Sequence, residues 1–432
     1  MRSIRKYAAI TLAATTALTL AACGGSSSSP SSAGNKHVTL TWWTNATTGD
    51  LKTVWSQAAT AFHKANPNVT IRVEPLQNEA FPTKIAAALN SNNPPDIYQQ
   101  WGSGQEATQV PSGKLTDLTS YTSSWIGQVG LPANAWQVNG KQYGVPYDLH
   151  TVGFWYRKDL FTRAGITTPP TTMDQLDADV AKLKAAHIAP IAVGSKDKWP
   201  DAFWWDYLAV RECSTATLKA AIKAVNVSAA CFVKAGQDLK TFMATKPFQT
   251  GFLGTASQAG AGSSAGMVST GQAAMELQGD WDPGVMQGLT TSTSFTSQLG
   301  WFPFPAVTGG AGDPAVVLGG GDGFSCTTGA AEPACANFLK YVDSTPVQEK
   351  VVGANVGLPA NPSATSALAL PPLKTVAQAN HTAPYIQTYF DIAFPTSVGT
   401  ALDNAIANFF AGQGTPQAVI TAVNKAAAAA GA

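Results

Sequence analysis

The sequence is poor in charge. Asp, Glu, Lys and Arg make up 12% of its 432 residues, and 27 basic side chains almost cancel 26 acidic ones, leaving a net charge of +1. A nucleic-acid partner needs a basic face, which this balance does not supply. The chain is not of the disordered type either, because disordered segments combine high charge with few aromatics, whereas here 45% of residues are apolar and twelve are Trp. Catalytic signatures are missing as well. There is no G-x-S-x-G, no H-E-x-x-H and no P-loop. The five histidines, His37, His63, His150, His187 and His381, are scattered without metal-ligand spacing, and no C-x-x-C pair occurs. Neither a metal nor a cofactor is expected. No internal repeat is evident.

Long hydrophobic runs are also absent. The longest candidate, Tyr7 to Leu20, is too short for a mature membrane span. It follows Arg2, Arg5 and Lys6 and ends in Leu20-Ala21-Ala22-Cys23, so residues 1–22 read as a signal peptide. A Cys directly after small residues resembles a bacterial lipobox, in which Cys23 becomes the acylated first residue. Residues 23–35, rich in Gly and Ser, read as a flexible tether reaching roughly 20 Å. The expected location is the extracytoplasmic face of the cell membrane, held by lipid alone. Setting Cys23 aside leaves Cys213, Cys231, Cys326 and Cys335, an even count that argues for disulfides in an exported protein. Four cysteines allow three pairings. The nearest-neighbour one, Cys213 with Cys231 and Cys326 with Cys335, is expected, each closure worth roughly 2–3 kcal/mol.

What remains is long enough for two or three domain-sized units. After the tether, strand and helix patterns alternate. Val38, Leu40 and Trp42 mark a strand; Leu51, Val54, Trp55, Ala58 and Phe62 share one face of a helix over 50–65; strands follow at 69–73 and 96–101. This alternation predicts an α/β fold with parallel strands and right-handed crossovers. In such sheets ligands bind beyond the carboxyl ends of the strands. The first strand runs into Trp42-Trp43-Thr44-Asn45, with Trp43 the outward-facing ring, and the third into Trp101-Gly102-Ser103-Gly104. Further on, 174–187 reads as a helix and 190–194 as a buried strand. Residues 199–205 open a helix that crowds Trp199, Trp204 and Trp205 together, and Trp205 joins the candidates. Residues 254–266 read as a loop. The strand 273–277 delivers Asp280-Trp281-Asp282, a third strand end carrying a Trp. Four Gly surround Asp322, which suggests close backbone approach or a sharp turn. Helices are also expected over 336–341, 400–410 and 416–430.

The segment from Lys141 to Phe161 stands apart. It alternates as extended chain but is broken by Pro146 and Gly153, as expected of a connection between two lobes. It carries Asp148 and His150 beside Tyr147 and Trp155. A sugar presents C–H faces and a hydroxyl rim, and flat aromatics with a few fixed acceptors suit it. Trp43, Trp101 and Trp281 with Asn45, Asp148 and Asp322 supply that mixture. His150, Trp205 and Asp280 complete the candidate ligand-binding set.

The segments L-T-W-W-T-N, P-P-D-I-Y-Q-Q-W-G-S-G, Y-G-V-P-Y-D-L-H-T-V-G-F-W-Y-R-K-D-L-F, A-A-M-E-L-Q-G-D-W-D-P-G-V and L-G-G-G-D-G-F, in this order, resemble the sugar-binding lipoproteins that serve bacterial ABC importers, in the broad fold group of maltose-binding protein. The resemblance implies a two-lobe periplasmic-binding-protein-like fold, each lobe a mostly parallel sheet flanked by helices, joined by hinge strands, with sugar held between. It implies no catalysis and no cofactor. It puts Trp281 on a sugar ring, with Trp101 and Asp148 lining the cleft. The expected division is lobe 1 at 36–147 and 299–345, and lobe 2 at 148–298 and 346–432. The expected partners are a carbohydrate, a di- or oligosaccharide whose identity the resemblance does not name, and the permease subunits of an ABC transporter, the receptor itself being monomeric. Two alternatives stay open: a surface-anchored glycoside-cleaving enzyme using two of Asp148, Asp280 and Asp322, and a same-fold receptor for a non-sugar solute.

Overall fold

The computed structural model describes residues 37–47, 49–329 and 331–431. The signal peptide, the tether and Cys23 lie outside the described residues. Among those described, no helix is long and apolar enough to cross a membrane.

The first sheet runs Val69–Pro75, Val38–Thr44, Ile97–Gln100, Gly323–Cys326, Gly144–Pro146. Its first three strands are parallel, and Gly323–Cys326 is antiparallel to both its neighbours. Alternation along Val38–Thr44 buries Leu40, Trp42 and Thr44 and leaves the ring of Trp43 half-buried on the opposite face. Trp42 meets Trp55, Phe324 and Phe338 edge-on, with ring centroids 5.0–5.3 Å apart. Trp55 comes from the helix Gly49–Ala65, whose apolar stripe Val54, Trp55, Ala58 and Phe62 faces this core. Asn66-Pro67 then ends that helix, since Pro cannot continue it.

The connection expected at 141–161 visits three sheets in succession. Gly144–Pro146 closes the first sheet. Asp148–Thr151 lies between Leu358–Pro359 and Val317–Gly320 in a second, which Ile386–Thr388 completes. Gly153–Arg157 lies between Leu299–Phe302 and Ala273–Gln278 in a third, which Ala189–Ala192 completes by pairing parallel to Ala273–Gln278. The two breaks have separate causes. Pro146 offers no N–H to extend a ladder. Gly153 is required because a Cβ there would fall 2.4–2.6 Å from the indole of Trp301.

The lobe boundaries differ from the expected ones. Leu299–Phe302 pairs with Gly153–Arg157 and so belongs to the second lobe's sheet, not to the first lobe. The buried Arg211 ties the following segment there too, donating to the carbonyls of Phe304, Pro305 and Val316 at 2.8–3.2 Å. Conversely Val347, Val351, Ala354 and Val356 pack into the core around Trp42 and Trp55, so the first lobe continues past 345. The loop expected at 254–266 is interrupted by the helix Ser264–Ser269, capped by Ser263 Oγ accepting from the Gly266 N–H. Cys213 is bonded to Cys231, joining the helices Trp199–Glu212 and Ala230–Ala244, and Cys326 is bonded to Cys335.

Candidate functional site

Strand ends from both lobes and the middle sheet meet around a cavity of about 320 Å³. Asn45 follows Val38–Thr44, Trp101 follows Ile97–Gln100, and Trp281 follows Ala273–Gln278. Alternation on Asp148–Thr151 turns Asp148 and His150 to the cavity, while the Leu149 side chain serves a groove on the other side. Asp322, between Val317–Gly320 and Gly323–Cys326, completes the floor.

Trp281 is held from several sides. Its ring folds back over Gly279, where a Cβ would stand 2.0 Å from the indole. The carbonyl of Gly279 accepts from the buried Nε1 of Trp155 at 2.9 Å, which fixes the turn. Pro283 then lies in the first turn of the helix Asp282–Gly288. The indole meets His150 edge-on at 4.7 Å, and Trp199, Phe203 and Tyr389 surround it at 6.2–6.4 Å.

His150 is the hub of a charge network. Its Nδ1 is 2.7 Å from Asp280 Oδ1. Its Nε2 is 3.0 Å from Asp148 Oδ1, off the hydrogen-bond line, and 3.7 Å from Asp322 Oδ2. The Asp322 N–H donates to Asp148 Oδ1 at 2.8 Å, and the Tyr147 hydroxyl donates to Asp322 Oδ2 at 3.2 Å. Burial alone would depress the imidazole, but Asp148 and Asp280 outweigh it and hold His150 well above its ordinary value. Burial pushes Asp148 up to about 7 and Asp280 upward, with His150 opposing in both cases. One cation among three carboxylates therefore favours keeping a proton on one of the acids. Asp148, His150 and Asp322 bring ligand atoms within 4.8 Å of one another, a spacing a metal ion could bridge. The imidazolium already supplies the cation at that point.

Of the residues singled out from sequence, Asn45, Trp101, Asp148, His150, Trp281 and Asp322 line the cavity. Three others do not. Trp43 faces the outer side of its strand, where its Nε1 donates to Glu74 Oε2 at 2.8 Å. Asp280 is fully buried beneath His150 and acts by orienting that ring. Trp205 is fully buried in the core, stacked on Phe232 and edge-on to Phe390. The aromatic residues of that helix that reach the cavity are Trp199 and Phe203, four apart and on one face; Trp205 is about 240° round from Trp199. Helical periodicity applied to the W-P-D-A-F-W-W run would have separated them. Tyr389 and the acids Glu79, Asp197, Asp391 and Asp403 also line the cavity and carried no local sequence signal.

Several buried acids make stability depend on pH. Burial pushes Glu106 and Asp201 up to about 8, and Asp282 and Asp343 to about 7. Each folded value lies above the unfolded one, so the folded state holds more protons between about pH 4 and pH 8. Their contribution is fully present below the ordinary carboxyl range and is lost as pH rises through 7–8. His150 has the same sign. The melting temperature is therefore expected to fall by about 5 °C or more between pH 5 and pH 8.5, as calorimetry on the ligand-free protein would measure. A flat or rising profile would contradict these assignments.

A family model for bacterial extracellular solute-binding proteins matches residues 45–349, more than half of the chain. The chain belongs to that family. An ABC transporter extracellular-binding protein of Pyrococcus horikoshii is 27% identical over 192 residues, 41% of this chain and 43% of that one. The match thus spans less than half the length of that relative. Among solved structures, one from work on xylan utilization by the thermophilic bacterium Caldanaerobius polysaccharolyticus superimposes with a TM-score of 0.82 at 25% identity, covering 90% of this chain and 99% of that one. A chitin oligosaccharide binding protein has a TM-score of 0.81 at 23% identity, covering 91% and 98%, and shares the fold. The architecture is that of two-lobe extracellular solute-binding proteins, and the Pyrococcus and chitin oligosaccharide relatives are named as binding proteins.

Proposed function

We propose that this protein captures a carbohydrate, a di- or oligosaccharide, between its lobes and presents it to the permease of an ABC importer. It acts as a monomer, anchored at the outer face of the membrane through acylated Cys23, and changes nothing covalently in its ligand. The observation that carries this reading is the cavity wall. Trp101, Trp199 and Trp281 offer flat faces, and Asp148 and Asp322 offer fixed acceptors on a rigid floor. The two lobes, joined through the Lys141–Phe161 connection, close on the sugar by rotating about those strands. Incubation with an oligosaccharide library, following melting temperature and product formation together, tests the proposal. A melting shift without products is the expected result. Products would make the protein a glycoside-cleaving enzyme, and indifference to every sugar would point to a non-sugar solute.

A further inference from the structure

We propose that the carbohydrate taken by this cavity carries a protonated amine, the cavity walls bearing seven carboxylates and, among the described residues, no Lys or Arg. This rests on reading the cavity as a carbohydrate site. The acid excess is local: the chain as a whole has 27 basic against 26 acidic side chains, so a wall drawn evenly from it would carry both signs.

Asp148 and Asp322 share His150 and are accounted for. The other five, Asp50, Glu79, Asp197, Asp391 and Asp403, form no ion pair among the described residues. They come from both sides of the cavity. Glu79 lies in the turn Asn78–Ala80 after the strand Val69–Pro75 of the first sheet, and Asp197 in the turn Ser195–Asp197 after the strand Ala189–Ala192 of the third. They stand close enough that the charge of Asp197 adds to what burial does in raising Glu79. Asp403 Oδ1 is buried with no hydrogen-bond partner. Two lysines flank this region without lining the cavity. Lys196 is exposed and its charge acts on Glu79 and Asp197 without forming an ion pair, and Lys198, whose charge acts on Asp403, donates from Nζ to Asn404 Oδ1 at 2.6 Å.

Ionised carboxylates only accept hydrogen bonds, and sugar hydroxyls can satisfy some of them. Closing a cleft over several unpaired carboxylates nevertheless removes water from each, a cost that hydroxyls offset poorly and a counter-charge offsets well. Burial pushes Asp391 up to about 6, and burial together with the charges of Asp391 and Asp206 pushes Asp403 upward despite the opposing charge of Lys198, so the cluster is still short of cation. An ammonium on the sugar supplies that cation, and beside Trp199 and Trp281 it gains from the negative ring faces as well.

The test is calorimetric titration of the purified protein with three matched series of gluco- and galacto-configured mono- to tetrasaccharides. One series carries a free amine, one the N-acetylated amine, and one a hydroxyl at the same carbon. The amine series is expected to bind at least about tenfold tighter than its N-acetylated counterpart at low salt, with the advantage shrinking as salt is raised. Asp403→Asn and Glu79→Gln are expected to reduce affinity for the amine series more than for the hydroxyl series, thermal melts confirming that both variants are folded. Equal or tighter binding of the neutral series, or an amine preference indifferent to salt, overturns this proposal while leaving the carbohydrate reading in place. Failure of all three series to bind overturns both.

Discussion

Trp281→Ala is expected to weaken carbohydrate binding at least about thirtyfold, because a packed aromatic anchor commonly contributes about 2 kcal/mol or more. The indole is held at the cavity wall by Gly279 behind it and by His150, Trp199, Phe203 and Tyr389 around it. That packing restricts the ring before ligand arrives, so little side-chain entropy is lost on binding. Trp55→Ala is the control. Trp55 is fully buried, edge-on to Trp42 and Tyr147 at 5.3 and 4.9 Å, and away from the cavity. Its truncation is expected to cost about 3–5 kcal/mol of stability, with near-normal affinity in the folded fraction. Titration and thermal melts on both variants separate the two roles. Full affinity in Trp281→Ala, with a lowered melting temperature, would make Trp281 a core residue and remove the stacking platform.

The second large effect is expected at His150. His150→Ala leaves Asp148 and Asp280 fully buried, and Asp322 mostly so, without their shared cation. Breaking a buried ion pair from one side typically costs about 3–5 kcal/mol, since the remaining charge is stranded. Adding Asp280→Asn to His150→Ala should recover part of the loss, because one stranded carboxylate is removed. Chemical denaturation of the single and double variants measures this. An unchanged unfolding midpoint in His150→Ala would show that the network does not hold the hinge together.

The lobes' outline was legible where periodicity was strong. Val38–Thr44 and Gly49–Ala65 are surface-facing on one side, so alternation and the helical stripe mark them plainly. The helix Trp199–Glu212 is buried on nearly every face, so its sequence does not distinguish Trp205 in the core from Trp199 at the cavity by polarity. Four further helices, Thr215–Ala224, Ala230–Ala244, Thr345–Gly353 and Pro371–Thr382, were not read from the sequence at all. The site was legible where a strand end delivers a residue directly, as at Asn45, Trp101 and Trp281. It was not legible where distant segments converge. Tyr389, Asp391 and Asp403 reach the cavity from the C-terminal part of the chain, and nothing local marks them. Lobe boundaries failed for a related reason: the partner of Leu299–Phe302 lies far back in the chain, at Gly153–Arg157.

The central claim is that sugar binds between two lobes that close upon it. Small-angle X-ray scattering of the purified protein, with and without a saturating sugar identified by the library screen, tests this most directly. The account predicts a smaller radius of gyration with sugar present and no change with a non-binding sugar. An identical scattering profile in the two states, at a concentration where calorimetry shows full occupancy, would contradict it.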